Sequence, residues 1–203
     1  RSMNALLKFS RIVDAVTDFI GKILIWLILA AVLVSAGNAI VRKIFNTSSN
    51  ALLEIQWYFY AAVFMLGAGY AFLKNAHVRI DFLSNRFSAR TRNWIDILGI
   101  LFFLAPLCLM LIMMSWPLFI NAWESGEMSQ NAGGLIRWPV YLMIPAGMAL
   151  LLAQAASELV KRVAFLRGLA ADPIGHAHAE HPGESEAERE IEEHAAHASE
   201  EVR

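Results

Sequence analysis

Four long apolar runs dominate the chain: Phe19 to Val41, Leu52 to Leu73, Trp94 to Trp116 and Pro139 to Val160. Each reaches the roughly 20 residues that a helix needs to cross the hydrocarbon core of a bilayer. The pattern predicts an all-α integral membrane protein with four transmembrane helices. The charges that enter these runs, Lys22, Glu54, Asp96 and Glu158, each fall within about a turn and a half of an end, so none is placed at the bilayer centre. Trp57, Trp94, Trp116, Trp138 and Tyr141 sit near the ends as well, where amphipathic rings meet the headgroup layer.

Ahead of the first run, Leu6, Phe9, Val13, Val16 and Ile20 recur at helical spacing, with Asn4, Lys8, Arg11 and Asp18 on the other side. Residues 1–18 therefore read as an N-terminal amphipathic helix lying in the membrane interface. A plain extension of the first span is the other reading. A small-residue site, Val34-Ser35-Ala36, raises a cleaved signal peptide, but the apolar run exceeds a typical signal core and cleavage would leave three spans. Gly168, Pro173 and Gly175 mark the boundary after the membrane domain, 19–167. The segment 168–203 is rich in Glu, Ala and His and has too little apolar surface to fold alone; Glu and Ala would allow a solvated helix. No internal repeat is present.

Composition agrees. Hydrophobic residues make up 57% of the 203 and charged ones 17%, against roughly 45–50% and 25% in ordinary soluble domains. The net charge of −1 hides an asymmetry: residues 1–167 carry 15 Lys/Arg against 8 Asp/Glu, and residues 168–203 carry 2 against 10. Twelve of the 15 basic residues fall on the side of the termini; Arg42, Lys43 and Arg137 fall on the other. The positive-inside rule places both termini in the cytoplasm.

Much chemistry is excluded. One cysteine, Cys108, leaves no disulfide framework and no Cys-based zinc or iron–sulfur site. No span carries a histidine, which argues against haem ligation. There is no Walker motif, dinucleotide fingerprint or His-Glu-x-x-His, and Gly133-Gly134 has no strand before it. Pro106 and Pro145 are mid-span prolines with no carboxylate or lysine beside them, so they read as tolerated kinks rather than parts of an ion pathway. The sequence implies no cofactor, no catalytic or substrate-binding residue, no metal site and no nucleic-acid partner.

A few polar residues remain. Glu54 is either a carboxylate that meets a partner or one that complements the helix dipole, with Asn50 as a cap. Gln56 faces elsewhere and could bond to another helix. Asp96 reads as a first-turn acid behind an Asn93 cap, and Glu158 and Arg162 as a surface i,i+4 pair. Small residues recur at packing spacing: Ala31, Ser35 and Ala39, then Gly67 and Ala71, then Ala149, Ala153 and Ser157. The cluster from Lys74 to Asp81, which includes His77 and Arg79, reads as a basic loop against anionic phospholipid headgroups or as a loop that holds a partner. His176, His178 and His181 read as a solvated tail or a weak metal site. The loop from Asn121 to Arg137 is expected to order only against a partner.

Five motifs in this order are similar to a known family. Glu54-Ile55-Gln56-Trp57-Tyr58 is followed by Phe64-Met65-Leu66-Gly67-Ala68 and then by His77-Val78-Arg79-Ile80-Asp81. Gly134-Leu135-Ile136-Arg137-Trp138-Pro139 and Ser157-Glu158-Leu159-Val160-Lys161-Arg162 flank the last span. Over roughly 20–165 the chain resembles the small, DctQ-type membrane subunit of tripartite ATP-independent periplasmic (TRAP) transporters. The resemblance implies a non-catalytic scaffold in the bacterial inner membrane. It would pair as a heterodimer with a large, many-helix permease subunit that carries the substrate and sodium sites. A periplasmic binding protein would deliver the substrate, commonly an organic acid. Carried over, Glu54, Gln56 and Trp57, with Gly67, would lie at the subunit interface. His77, Arg79 and Asp81 would shape the cytoplasmic turn, and Arg137 and Trp138 would lie near the docking face. The acidic tail has no counterpart in the pattern. The competing readings are a self-sufficient four-helix carrier, for which Glu54 is the candidate coupling carboxylate, and a membrane anchor of another complex.

Overall fold

A computed structural model describes residues 2–46, 49–74 and 88–170, with side chains from residue 5. These residues form helices α1 (Ser2–Phe45), α2 (Asn50–Leu73), α3 (Ala89–Gly99), α4 (Ala105–Ser125) and α5 (Trp138–Leu166). A π-helical turn, Ile100–Leu104, joins α3 to α4 as one rod. Four helical stretches are long and apolar enough to cross a membrane: α1, α2, the α3–α4 rod and α5.

Chain chemistry explains the boundaries. Ser88 caps α3, its hydroxyl accepting the Thr91 backbone N–H at 3.3 Å, so the third helix starts five residues before the expected span at Trp94. The π turn precedes Pro106. With no N–H of its own, the ring breaks the regular ladder, and the Ala105 N–H reaches back to Ile100 instead. Gly126, at φ +62°, ends α4 in the left-handed conformation that glycine adopts without strain.

The first helix differs from expectation. No break separates an interfacial helix from the first span, and α1 runs unbroken for 44 residues. The cause is tertiary. Ser10 and Asp14 carry a polar seam onto α5 through the segment where a separate helix would have turned away.

Helix α5 is the centre of the bundle and packs against α1, α2 and α4, while α1 also packs along α2. Backbones approach closely at glycines. A Cβ on Gly147 of α5 would stand 2.5 Å from the Met65 carbonyl oxygen of α2, and one on Gly69 would stand 3.2 Å from Leu150. Gly21 of α1 gives its space to the Tyr70 ring. Gly67 faces Leu24 of α1 at an ordinary 3.6 Å, so this small residue packs within the chain. Such contacts suit a membrane bundle, where dispersion and close approach replace the hydrophobic drive.

Candidate functional site

The polar side chains gather at the two ends of the bundle. At the end away from the termini, Glu54 stands one turn into α2, and its carboxylate accepts three hydrogen bonds from one loop. They come from the Ser129 hydroxyl, from Asn131 Nδ2 at 2.8 Å and from the Leu135 backbone N–H at 2.7 Å. The loop between α4 and α5 is thus ordered against its own chain, which corrects the expectation that it needs a partner. It folds as a short hairpin, with an isolated bridge between Met128 and Ile136 and the Ser129 N–H on Leu135 O at 2.9 Å. Gly133, at φ +71°, makes the turn. A Cβ on Gly134 would come within 2.5 Å of the Ser129 Cβ and 2.9 Å of Glu54 Oε1, so the bare backbone admits the carboxylate.

Neighbours extend the cluster. The Tyr58 hydroxyl donates to Ile136 O at 2.6 Å. Asn50, expected as a cap, is the first residue of α2, and its amide reaches Ala132 O at 2.9 Å. Arg137 pairs with Glu127 at 3.0 Å, and that carboxylate raises the guanidinium above its already high range. Trp138 meets Trp123 edge-on at 4.7 Å and Phe119 at 6.4 Å, which ties the start of α5 to the end of α4. A cleft of about 290 Å³ opens among Glu54, Trp57, Tyr58, Arg137 and Tyr141. Trp57 is 71% exposed. Gln56 is half-buried and takes no part in the cluster.

At the other end the polar groups are buried or half-buried. Asp14 of α1 accepts from Gln154 Nε2 and Ser157 Oγ, both at 2.8 Å, and pairs with Lys161 at 2.8 Å. The Ser10 and Ser157 hydroxyls lie 2.7 Å apart. Lys161 also meets Glu158 at 2.6 Å. Arg162 reaches across to α3, with Asp96 at 2.9 Å and Asn93 Oδ1 at 3.3 Å, and lies 3.7 Å from Glu158. Three expectations are corrected. Glu158 and Arg162 are not a surface pair, because both are only 2% exposed. Asn93 does not cap: it is buried inside α3 and donates to Ala89 O at 2.9 Å. Asp96 stands in the second turn of α3, beyond first-turn dipole stabilisation, and is held by Arg162.

Asp14 and Gln154 escaped the sequence reading because each looks ordinary alone; only the crossing of α1 over α5 joins them. The spacing of Gln154, Ser157, Lys161 and Glu158 along one stretch of α5 was the available signal. Asp18 bridges Lys22 at 2.7 Å and Lys74 at 3.2 Å, which fastens α1 to the end of α2. His77, Arg79, Asp81 and the histidines of the tail lie outside the described residues. Among the described residues, no group of three or more metal-ligating side chains is assembled.

Residues 31–165 match a family model described as tripartite ATP-independent periplasmic transporters, DctQ component. No curated protein and no solved structure matches the chain.

Proposed function

Because the chain belongs to the DctQ family of tripartite ATP-independent periplasmic transporters, we propose that it works as the stationary small subunit of such a transporter. In this reading it forms a heterodimer with the large permease subunit, which performs sodium-coupled uptake of an organic acid delivered by a periplasmic binding protein. Both termini then face the cytoplasm, and Arg137 and Trp138 face the periplasm.

The family match over two thirds of the chain carries the reading. The arrangement of polar groups supports it. Glu54, the carboxylate that a self-sufficient carrier would use for coupling, is committed to its own loop at one end of α2. The charges at the opposite end pair with one another across α1, α3 and α5. Groups tied up in this way stiffen a bundle rather than open a path. The outer surface of the bundle is apolar: Trp57 and Phe64, two turns apart on α2, are 71% and 73% exposed. That row offers a helix of the large subunit a flat aromatic face, with Gln56 as a polar neighbour. His77, Arg79 and Asp81 would shape the turn that follows α2 on the cytoplasmic side.

The test is co-purification. The chain, tagged at its C-terminal end and extracted in mild detergent from its host, should bring down a many-helix membrane protein in equal amount. Arg79→Ala should reduce the yield of that complex. A chain that purifies alone as a defined homo-oligomer, or an Arg79→Ala complex that forms normally and loses only substrate affinity, would contradict the scaffold role.

A further inference from the structure

The N-terminal half of α1 is sorted by charge and polarity in a way that the scaffold role does not require. Its polar face is turned inward: Ser10 and Asp14 bond to α5, and Thr17 is buried. Its outward face is apolar: Phe9, Ile12, Val16 and Phe19 form one stripe and are 46%, 64%, 48% and 64% exposed. Lys8 and Arg11 lie along one flank of this stripe, both exposed and without an ion pair among the described residues. The acids at this end are held elsewhere: Asp14 by Lys161, Asp18 by Lys22 and Lys74, Asp96 and Glu158 by Arg162. Among the described residues, the outward charge beside the stripe is therefore positive only.

Length places this stripe at the membrane boundary. Exposed apolar residues continue along α1 from Leu6 to Phe45, about 60 Å at 1.5 Å per residue, roughly twice the hydrocarbon thickness. Even a tilt of about 40°, the upper end of the usual range, projects that length onto about 46 Å, close to a bilayer with its headgroups included. The turns around Lys8 and Arg11 then fall at headgroup depth. We propose that the N-terminal half of α1 is a binding surface for acidic phospholipids. Lys8 and Arg11 hold the lipid phosphate, and Phe9, Ile12, Val16 and Phe19 lie among the acyl chains. Two cations beside an apolar stripe, with Asp14, Asp18, Asp96 and Glu158 already paired, fit an anionic headgroup better than a zwitterionic one.

Two measurements on the full chain test this. In the first, native mass spectrometry follows competition between phosphatidylglycerol and phosphatidylcholine for the purified protein. K8Q/R11Q removes both charges from exposed positions and should lower the preference for phosphatidylglycerol ten-fold or more, whereas R42Q/K43Q at the far end of α1 should leave it unchanged. An unchanged preference in K8Q/R11Q overturns the proposal, including the case in which the acidic residues after Gly168 occupy Lys8 and Arg11 instead. An equal fall in R42Q/K43Q also overturns it, since it would reflect charge in general. In the second, a spin label at I12C, in a C108A background and in phosphatidylglycerol-containing nanodiscs, should collide with oxygen more than with a water-soluble nickel chelate. Preference for the chelate, or protection from both, would place water or protein on the stripe and reject a lipid surface.

Discussion

Arg162 of α5 lies 2.9 Å from Asp96 of α3, and the two residues stand at opposite levels of burial: the arginine side chain is 2% exposed and the aspartate 29%. The cation is thus the sealed partner. It is surrounded by Asp96, Asn93 and Glu158, and both members of the pair line a crevice of about 460 Å³ among α2, α3, the π turn and α5.

Removing Arg162 should therefore be more damaging than removing Asp96. Arg162→Met strips Asp96 of its cation and leaves Glu158 with Lys161 alone, so the loss should approach but stay below the roughly 3–5 kcal/mol of a fully uncompensated buried charge. Asp96→Asn keeps an acceptor for the guanidinium, with Glu158 still present, and should cost less. Unfolding titrations in mixed micelles would show the order; equal losses would mean that the pair acts as one isolated bridge.

Glu54→Gln should loosen the loop without disturbing the helices. The neutral amide keeps one acceptor oxygen for the three donors, and hydrogen bonds to a charged group are worth about 1.5–3 kcal/mol each. Loss of one such bond predicts roughly ten- to hundred-fold faster amide exchange at Leu135 and its neighbours, at 1.4 kcal/mol per factor of ten. Hydrogen-exchange mass spectrometry should find peptides from 128–136 affected and those from α5 unchanged. Unchanged loop exchange would show that the hairpin holds without the carboxylate.

Gly147→Ala and Gly99→Ala form a matched pair. At Gly147 the new methyl meets the Met65 backbone at 2.5 Å, so the helices must separate, and overpacking of this kind costs about 1–3 kcal/mol. At Gly99 nothing lies within 4 Å, and the helix preference of alanine over glycine, about 1 kcal/mol, should stabilise. Melting temperatures in detergent should move in opposite directions. A Gly147→Ala protein as stable as the parent would mean that α2 and α5 have room to slide.

Trp138→Ala should detach the start of α5 from α4. The ring contacts with Trp123 and Phe119 join the two helices where the loop leaves them, and loss of a large aromatic typically costs about 3–5 kcal/mol when it is fully buried. Trp138 is only half-buried, so a fall nearer 2 kcal/mol is expected. Near-ultraviolet circular dichroism should lose much of its tryptophan signal, because Trp138 and Trp123 stand in asymmetric edge-on contact. A retained signal would locate that asymmetry in the other tryptophans.

The amino-acid pattern alone determined that the chain is helical and apolar enough to cross a membrane four times. Long apolar runs in a bilayer leave the backbone no partner but itself, so helix is the local answer to a local constraint. The same one-dimensional logic located Glu54 near the start of α2, and the ordered motifs pointed to the family that the match over 31–165 shows. What the pattern could not carry was the pairing between helices. Glu158 and Arg162 look like a surface i,i+4 pair until α1 and α3 close over them. Asn93 looks like a cap until Ser88 begins the helix a turn earlier, and Asp14 carries no signal of its own until α5 supplies Gln154, Ser157 and Lys161. The Asn93 outcome is local, but the other two were decided by which residue of another helix stands opposite, 66 to 147 positions away, and in lipid that choice rests on close backbone approach and polar satisfaction rather than on hydrophobicity. Gly147 and Gly134 show the same division. The sequence placed a glycine at each position, and only the packed bundle gave the absence of a side chain its purpose.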